Sequence, residues 1–332
     1  MSGFPSAFIR LTLAVCLLSA SALRAQQPPT QEPPAIRVGV DRVNVGVIVT
    51  DSSGHFVEGL RPEDFRVFDN SIEQPITDFA AIDEPAQVLL LIEAGPAVYL
   101  LEGAYLQAAH GLLQGLATTD LVAVAKYSDT AQAVLGFTPD KQLAESALGA
   151  LHYNLGFGSL NLSSSLSQIL AWLRGTNGKK SVILLSTGVD TSPSNESLAI
   201  LSQLRVGEVR VFAVSLAAAL RTPAKNKKKR LSPKSVDAEQ RFAEADQLLR
   251  ELAGATGGRA YFPVSASDFR AVYAELAQLI RHEYSLAFAP QTRDGAVHAI
   301  KVTIKRADSM PNRADFRVEH RQAYAAPEKL AQ

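Results

Sequence analysis

Val88-Leu89-Leu90-Leu91-Ile92, running into Glu93-Ala94-Gly95-Pro96-Ala97, decides the reading of this chain. Five large aliphatic residues without a polar break make a strand buried on both faces, because a strand with one wet face alternates apolar and polar residues. Gly95-Pro96 ends the extended run. Proline suits the first turn of a helix, where its missing N–H is not needed. From Val98 to Leu116 apolar residues recur at helical spacing, at Leu101, Tyr105, Ala108, Leu112 and Leu116. A doubly buried strand feeding a helix is the unit of a parallel α/β sheet.

The unit repeats downstream. Leu121 to Tyr127, Ser181 to Leu185 and Val209 to Val214 read as strands. Lys141 to Leu151, Leu160 to Leu173, a segment around Asn195 to Leu204, Phe242 to Ala253 and Asp268 to His282 read as helices. Within Leu160 to Leu173, Trp172 lies three residues after Ile169 and is expected in the core. Residues 85–282 are therefore expected to form an α/β domain with a doubly wound, mainly parallel sheet and helices on both faces.

The flanks have a different period. Val43, Val45, Val47 and Val49 alternate with polar or small residues, with Ile48 the one exception, and Ile36, Val38 and Val40 precede them. Asp51-Ser52-Ser53-Gly54 is a turn signal, Leu60 to Phe65 a short helical turn, and Arg66 to Phe68 and Ile76 to Phe79 strand-like. Beyond His282 the alternation returns in Tyr284 to Phe288, Val297 to Ile304 and Phe316 to Val318. Neither flank has enough strands to bury a core alone. Residues 36–84 and 283–323 are thus expected to pair into one small β-sandwich with the α/β domain inserted in it, and 324–332 to form a tail.

Bulk composition narrows the classes. The chain has 332 residues, 47% of them hydrophobic and 20% charged, with Lys+Arg and Asp+Glu at 33 each. That supports a sizeable core and gives no global charge to attract nucleic acid or an anionic membrane. Residues 1–25 read as a signal peptide: Arg10 supplies a short positive region, and the apolar stretch Leu11 to Ala22 is too short to span a bilayer. Small-residue cleavage patterns occur at Ala20-Ser21-Ala22 and Leu23-Arg24-Ala25. The Pro/Gln run of residues 26–35 favours cutting before Gln26. Cys16, the only cysteine, lies inside this signal, and Val15 before it does not suit lipidation. The mature chain then contains no cysteine, which excludes disulfides, thiol catalysis and zinc–thiolate sites. No later stretch is long enough to cross a membrane, so a periplasmic or extracellular location is expected. Residues 224–234 form a basic loop with Lys225, Lys227, Lys228, Lys229, Arg230 and Lys234. It reads as a solvated surface loop, or more sharply as a contact for an acidic partner or a protease-sensitive site.

Several local patterns, in order, resemble the von Willebrand factor A (vWA) domain, and more closely the bacterial secreted VWFA-related family. They are Val43 to Asp51 followed by Gly54; Gly59 to Phe65 with Val67-Phe68; Asp120 to Val124 with Tyr127-Ser128-Asp129; Leu252 to Phe262; and Glu283 to Leu286 with Ala289-Pro290. In that family the loop after the first core strand reads Asp-x-Ser-x-Ser and holds magnesium through oxygen atoms. The resemblance places those ligands on Glu93, Gly95 and Ala97. It places the second-loop Thr on Ser159, within Gly156-Phe157-Gly158-Ser159, and the third-loop Asp on Thr187. Magnesium needs hard oxygen donors in tight octahedral geometry, and Gly95 and Ala97 offer no side-chain oxygen. The resemblance therefore implies a degenerate metal-ion-dependent adhesion site, with no metal and no other cofactor. Asp190 and Asp129, on neighbouring loops, are the candidate substitutes.

Three functions follow from these residues. The first is a metal-independent protein-interaction module, for adhesion or scaffolding, whose ligand is a protein. Glu93, Gly95, Ala97, Ser159, Thr187 and Asp190 would form its binding rim at the carboxyl ends of the strands. Equally open is that these loops only connect, and that binding falls on the sandwich or a helix face. The second keeps divalent-metal-dependent ligand binding with a non-standard donor set. The third, an enzyme, finds little in the sequence. His55, His110, His152, His282, His298 and His320 form no i, i+4 pair, no Gly-x-Ser-x-Gly elbow occurs, and Gly254-Ala255-Thr256-Gly257-Gly258 follows a helix, where glycine serves as a cap.

Overall fold

The structure, a computed structural model, describes residues 42–82, 85–152, 158–176, 178–221, 233–305 and 316–328. The expected signal peptide and linker, the alternation Ile36 to Val40, Gly156-Phe157 and the Lys225 to Arg230 part of the basic loop lie outside the described residues. So does the end of the tail, residues 329–332. Among the described residues no helix is long and apolar enough to cross a membrane.

In chain order the first flank forms β1 (Val43–Thr50), a 3-10 turn (Pro62–Asp64), β2 (Phe65–Asp69), β3 (Ile72–Gln74) and β4 (Asp78–Ile82). The α/β segment runs β5 (Ala86–Glu93), α1 (Pro96–Gly115), β6 (Leu121–Tyr127), β7 (Ala131–Thr138), α2 (Lys141–Gly149), α3 (Leu162–Leu173), β8 (Lys179–Ser186) and α4 (Ser194–Val206). It continues through β9 (Val209–Ser215), α5 (Ala217–Leu220), α6 (Pro233–Ala255), β10 (Ala260–Tyr261) and α7 (Ala266–Arg281). The second flank forms β11 (Glu283–Phe288), β12 (Val297–Ile304), β13 (Arg317–Glu319) and β14 (Ala323–Ala325).

The central sheet has the order β10-β9-β8-β5-β6-β7, parallel except for β7. The chain starts in the middle with β5, winds one way through β6 and β7, then restarts on the other side with β8, β9 and β10. Ligand sites in open α/β sheets lie outside the carboxyl ends of the strands at such a reversal, here between β5 and β8. The apolar run at β5 is explained by its two buried faces. Val88, Leu90 and Ile92 pack with Leu112 of α1, Leu148 of α2 and Phe269 of α7. Leu89 and Leu91 pack with Leu166 of α3, Ile200 of α4 and Leu249 of α6.

Several elements depart from the sequence reading. The expected tail from residue 324 is part of the sandwich: Ala323–Ala325 pairs with β12, and Tyr324 and Ala326 are buried. The short β3 and α5 were not expected. β7 was not anticipated, because Ala131 to Thr138 is half exposed at the sheet edge and carries neither a clean alternation nor an apolar run. Trp172, expected in the core, is 36% exposed. The buried stripe of α3 is Leu162, Leu166, Ile169, Leu170 and Leu173, and Trp172 lies off it, stacked on Phe137 at 5.5 Å.

The flanks do pair. Each sheet of the sandwich takes two strands from either end of the chain, in the orders β13-β1-β11-β4 and β14-β12-β2-β3. Val43, Val45, Val47 and Val49 point between the sheets, against Phe65, Leu286, Phe288 and Val302. The other face of β1 is also covered, which accounts for Ile48. Its side chain is wholly buried in the α/β core, with Leu279 and Ile280 of α7. Its neighbours on that face, Gly46 and Thr50, meet arginines from the inserted domain. Arg210 of β9 donates to the Gly46 carbonyl at 3.1 Å and pairs with Glu283 of β11 at 3.3 Å, beside Lys179 at 2.8 Å from the same carboxylate. Burial pushes the Glu283 carboxyl up, but these two cations outweigh it and hold it below the usual range. A Cβ at Gly46 would lie 1.4 Å from Glu283 Oε1, so this position admits no side chain.

Arg259, just before β10, is the most fully engaged of the seam cations. Its Nε donates to both oxygens of Glu319 at 2.6 and 2.7 Å, Nη1 to Glu275 at 2.6 Å and Nη2 to Thr50 Oγ1 at 2.7 Å. Removing Arg259 leaves the buried Glu319 only the largely exposed Arg317, 3.0 Å away. Arg259→Met is therefore expected to cost about 3–5 kcal/mol in urea unfolding, with part recovered by adding Glu319→Leu. A loss of under about 1 kcal/mol would show that the seam does not depend on this pair.

Candidate functional site

The reversal between β5 and β8 carries a row of polar residues at its carboxyl edge. Glu93 of β5 is in register with Tyr127 of β6. Ile92 pairs with Leu185, which sets Ser186 of β8 beside Glu93, and Ser186 pairs in turn with Ser215 of β9. Strand parity turns Glu93 to the same face as Leu89 and Leu91, the side covered by α3, α4 and α6. All four residues of the row are wholly buried.

Glu93 is held from both sides. Its Oε2 accepts from the Thr187 amide at 2.7 Å, from Thr187 Oγ1 at 2.8 Å, and from Tyr127 Oη and Ser186 Oγ at 3.2 Å each. Tyr127 Oη and Ser186 Oγ are themselves 2.6 Å apart. Oε1 is buried without a hydrogen-bond partner among the described residues and lies beside Gly95. Burial pushes the carboxyl above its usual range, and the bonds from Thr187, Ser186 and Tyr127 pull the other way without cancelling it. A carboxyl with few compensating charges is more stable neutral in such a place. The Thr187 loop reaches back over Glu93 because Gly188 turns with φ +77 and packs tightly on α6; a Cβ there would meet the Ala245 carbonyl at 2.5 Å.

The residues expected to form a ligand-facing rim are not at one level. Glu93, Gly95 and Thr187 are buried, so the carboxyl does not line an accessible rim: its neighbours donate inward and close over it. Gly95 is the N-cap of α1, and Ala97 falls in the first turn of that helix. Ser159 is exposed, on the segment leading into α3. Asp190 is half-buried and caps α3. Its Oδ2 accepts from the Ser163 hydroxyl and, at 3.2 Å, from the Ser163 amide, while Oδ1 accepts from the Ser192 amide at 2.9 Å.

This donor set does not suit magnesium. One carboxylate stands at the place the resemblance implies, and its Oε2 already faces the Thr187 amide and three hydroxyl groups. Asp190 is committed to α3, and Asp129 accepts from Asn161 Nδ2 at 2.7 Å. Among the described residues no three acidic, His or Cys side chains gather as a metal would need. An octahedral ion demands more oxygens than these.

Sequence reasoning missed the residues that tie the loops together. Asn161 donates to Asp129 and accepts from Thr191 Oγ1 at 2.8 Å; Thr191 Oγ1 accepts from the Leu160 amide at 2.9 Å, and the Thr191 amide donates to the Leu160 carbonyl at 2.8 Å. The Ala94 amide donates to the Tyr127 carbonyl at 2.7 Å. Tyr127 had a readable signal: it follows Ala123 and Ala125 in parity, so it had to enter the same buried layer as Glu93. Asn161 and Thr191 had none.

The strand order, the reversal at β5 and β8, and the loops gathered there make this a doubly wound α/β domain, the arrangement that the vWA resemblance implies. Similar solved structures include a von Willebrand factor type A protein from Catenulispora acidiphila, 12% identical, with a TM-score of 0.45 over 88% of this chain and 76% of that one. BatB from Bacteroides thetaiotaomicron is 13% identical, with a TM-score of 0.41 over 58% of this chain and 98% of that one. The ArnB paralog VWA2 from Sulfolobus acidocaldarius is 14% identical, with a TM-score of 0.38 over 86% and 76%. No protein-family model and no curated protein matches the sequence.

The geometry at Glu93 sets a testable pH dependence. A carboxyl whose folded pKa is raised above 4.5 contributes its full stability below that value and loses it as pH rises through the folded pKa. Glu93→Gln carries no ionisable group, so its melting temperature is expected to gain on the wild type as pH climbs from about 4.5. Glu93→Ala strands the donors of Thr187, Ser186 and Tyr127 and is expected to cost roughly 2–4 kcal/mol. Parallel melting curves for wild type and Glu93→Gln across pH would contradict the raised pKa.

Proposed function

We propose that this chain is a non-catalytic, metal-independent protein-interaction module of vWA type, acting outside the cytoplasm. The observation that carries this reading is the closure of Thr187, Ser186 and Tyr127 over Glu93. The chain's own hydrogens occupy one oxygen of the carboxyl, Oε2, and the group is closed off from solvent. What remains at the carboxyl ends of the strands is a set of cross-bonded loops with Ser159 and Val189 exposed, a rigid surface rather than a reactive one.

The described histidines support the non-catalytic part. His298 of β12 is the most acid–base-like: its Nδ1 lies 2.8 Å from Asp69, and its Nε2 3.2 Å from Asp294. Burial pushes its pKa down, but the two carboxylates outweigh that and raise it. When charged, the ring spends both N–H groups on those partners and keeps no lone pair for a base. It is 4% exposed within the sandwich, with Tyr324 donating to the other oxygen of Asp69 at 2.9 Å. This is an interior ion pair. The location outside the cytoplasm rests on the signal-like residues 1–25.

The mature chain, immobilised and exposed to cell-envelope extract, is expected to retain the same proteins in chelator as in magnesium, within about twofold. Retention only with magnesium, or turnover in a broad hydrolase panel, would contradict the proposal.

A further inference from the structure

A groove of about 970 Å³ runs between α4 and α6, beside the Thr187–Asp190 loop. Ile200 and Leu204 of α4, with Leu249 and Leu252 of α6, are wholly buried against the sheet. Leu198 of α4 and Phe242 of α6 line the groove, together with Leu201 and Leu248, which are partly buried and also pack on that core. Leu198 is 69% exposed, and Val189 at the loop end of the groove is 37% exposed. Large apolar side chains gathered on one strip, rather than scattered, mark an interaction surface.

The charges beside the strip have one dominant sign. Asp190, Glu244 and Glu251 line the groove against a single Arg241. Among the described residues the acids bond only to neutral donors: Glu244 to Gln240 at 3.0 Å, Glu251 to Gln247 at 2.8 Å, and Asp190 to serines. Two helices with a furrow between them accept the side-chain ridge of a third helix, and among the described residues no strand residue lines this groove to take an extended peptide.

We propose that the α4–α6 groove is a docking site for a partner's amphipathic helix with aliphatic anchors at three- and four-residue spacing and Lys/Arg along its flanks. The site rests on the interaction-module reading and names one surface for it. Leu198, Leu201, Phe242 and Leu248 take the anchors. Glu244 and Glu251 face the cations and set the polarity of the helix that fits.

The test uses fluorescence anisotropy of the full mature chain with two labelled 14-residue helical peptides, one of leucine and lysine and one of leucine and glutamate in the same pattern. The Leu/Lys peptide is expected to bind saturably and at least tenfold more tightly than the Leu/Glu peptide. Leu198→Lys is expected to weaken it at least tenfold without lowering the melting temperature. Glu244→Lys with Glu251→Lys is expected to reverse the preference. Val297→Lys, on a side chain 64% exposed in the sandwich, is expected to change nothing. Absence of saturable binding, equal binding of the two peptides, or indifference to Leu198→Lys would overturn the proposal. Binding seen only after Lys225 to Arg230 are replaced by a Gly/Ser linker would overturn it too, because the groove would then take the chain's own basic segment. Envelope proteins retained equally by wild type and Leu198→Lys would refute the groove and leave the interaction reading intact; none retained in chelator would refute that reading separately.

Discussion

A carboxyl group wholly removed from water at the end of the central strand must be satisfied by a cation, a proton or hydrogen bonds, because an isolated buried charge is prohibitively unstable. Glu93 is held by hydrogen bonds, and its burial shifts the balance toward the protonated form. Its neighbours across the sheet, Tyr127 and Ser186, and the amide and hydroxyl of Thr187 converge on one oxygen, while burial favours the protonated form. The arrangement joins the ends of β5, β6 and β8 through side chains as well as backbone. It also fixes the Thr187 loop, and through Gly188 the approach of α6. The loops at the sheet's carboxyl edge are consequently held by internal bonds, in the place where the vWA resemblance implies an ion.

A second constraint comes from insertion. The α/β domain leaves the sandwich after β4 and returns at β11, and β1 lies between the two cores. Its odd residues complete the sandwich interior, and its even residues, Gly46, Ile48 and Thr50, face the inserted domain. Arg210 and Arg259 bridge from the α/β domain to β1, β11 and β13, each paired with a buried carboxylate. Arg321 joins Asn44 to the end of α4 in the same way, through backbone carbonyls at 2.6 and 3.3 Å. These bonds fix the position of the insert on its host more tightly than two chain crossings alone would.

Much of this was legible in the sequence, for physical reasons. The unbroken aliphatic run at β5 needs two apolar faces, and the valine alternation of β1 needs one, so domain type and flank pairing followed from period alone. Ile48 was visible as an exception but not as a seam residue, because a single sequence does not say which second surface a strand meets. β7 escaped because an edge strand with half-exposed residues has no periodic signature. Trp172 escaped because helical spacing from Ile169 does not distinguish the centre of a buried stripe from its margin. At the site, the resemblance pointed to Glu93, Gly95, Ala97, Ser159 and Thr187, with Asp190 as a neighbouring acid. It could not show that Thr187 and Tyr127 close over Glu93, or that Asp190 turns away to cap α3, since both depend on contacts between residues far apart in the chain.

The most direct test of the account is isothermal titration of the mature chain with magnesium and with manganese, repeated on Glu93→Gln. A carboxyl buried and held through Oε2 by its own neighbours predicts no saturable heat in either protein at millimolar metal. Saturable heat in the wild type that vanishes in Glu93→Gln would contradict the account, showing that Glu93 opens to a cation and that the hydrogen bonds of Thr187 are its resting state only.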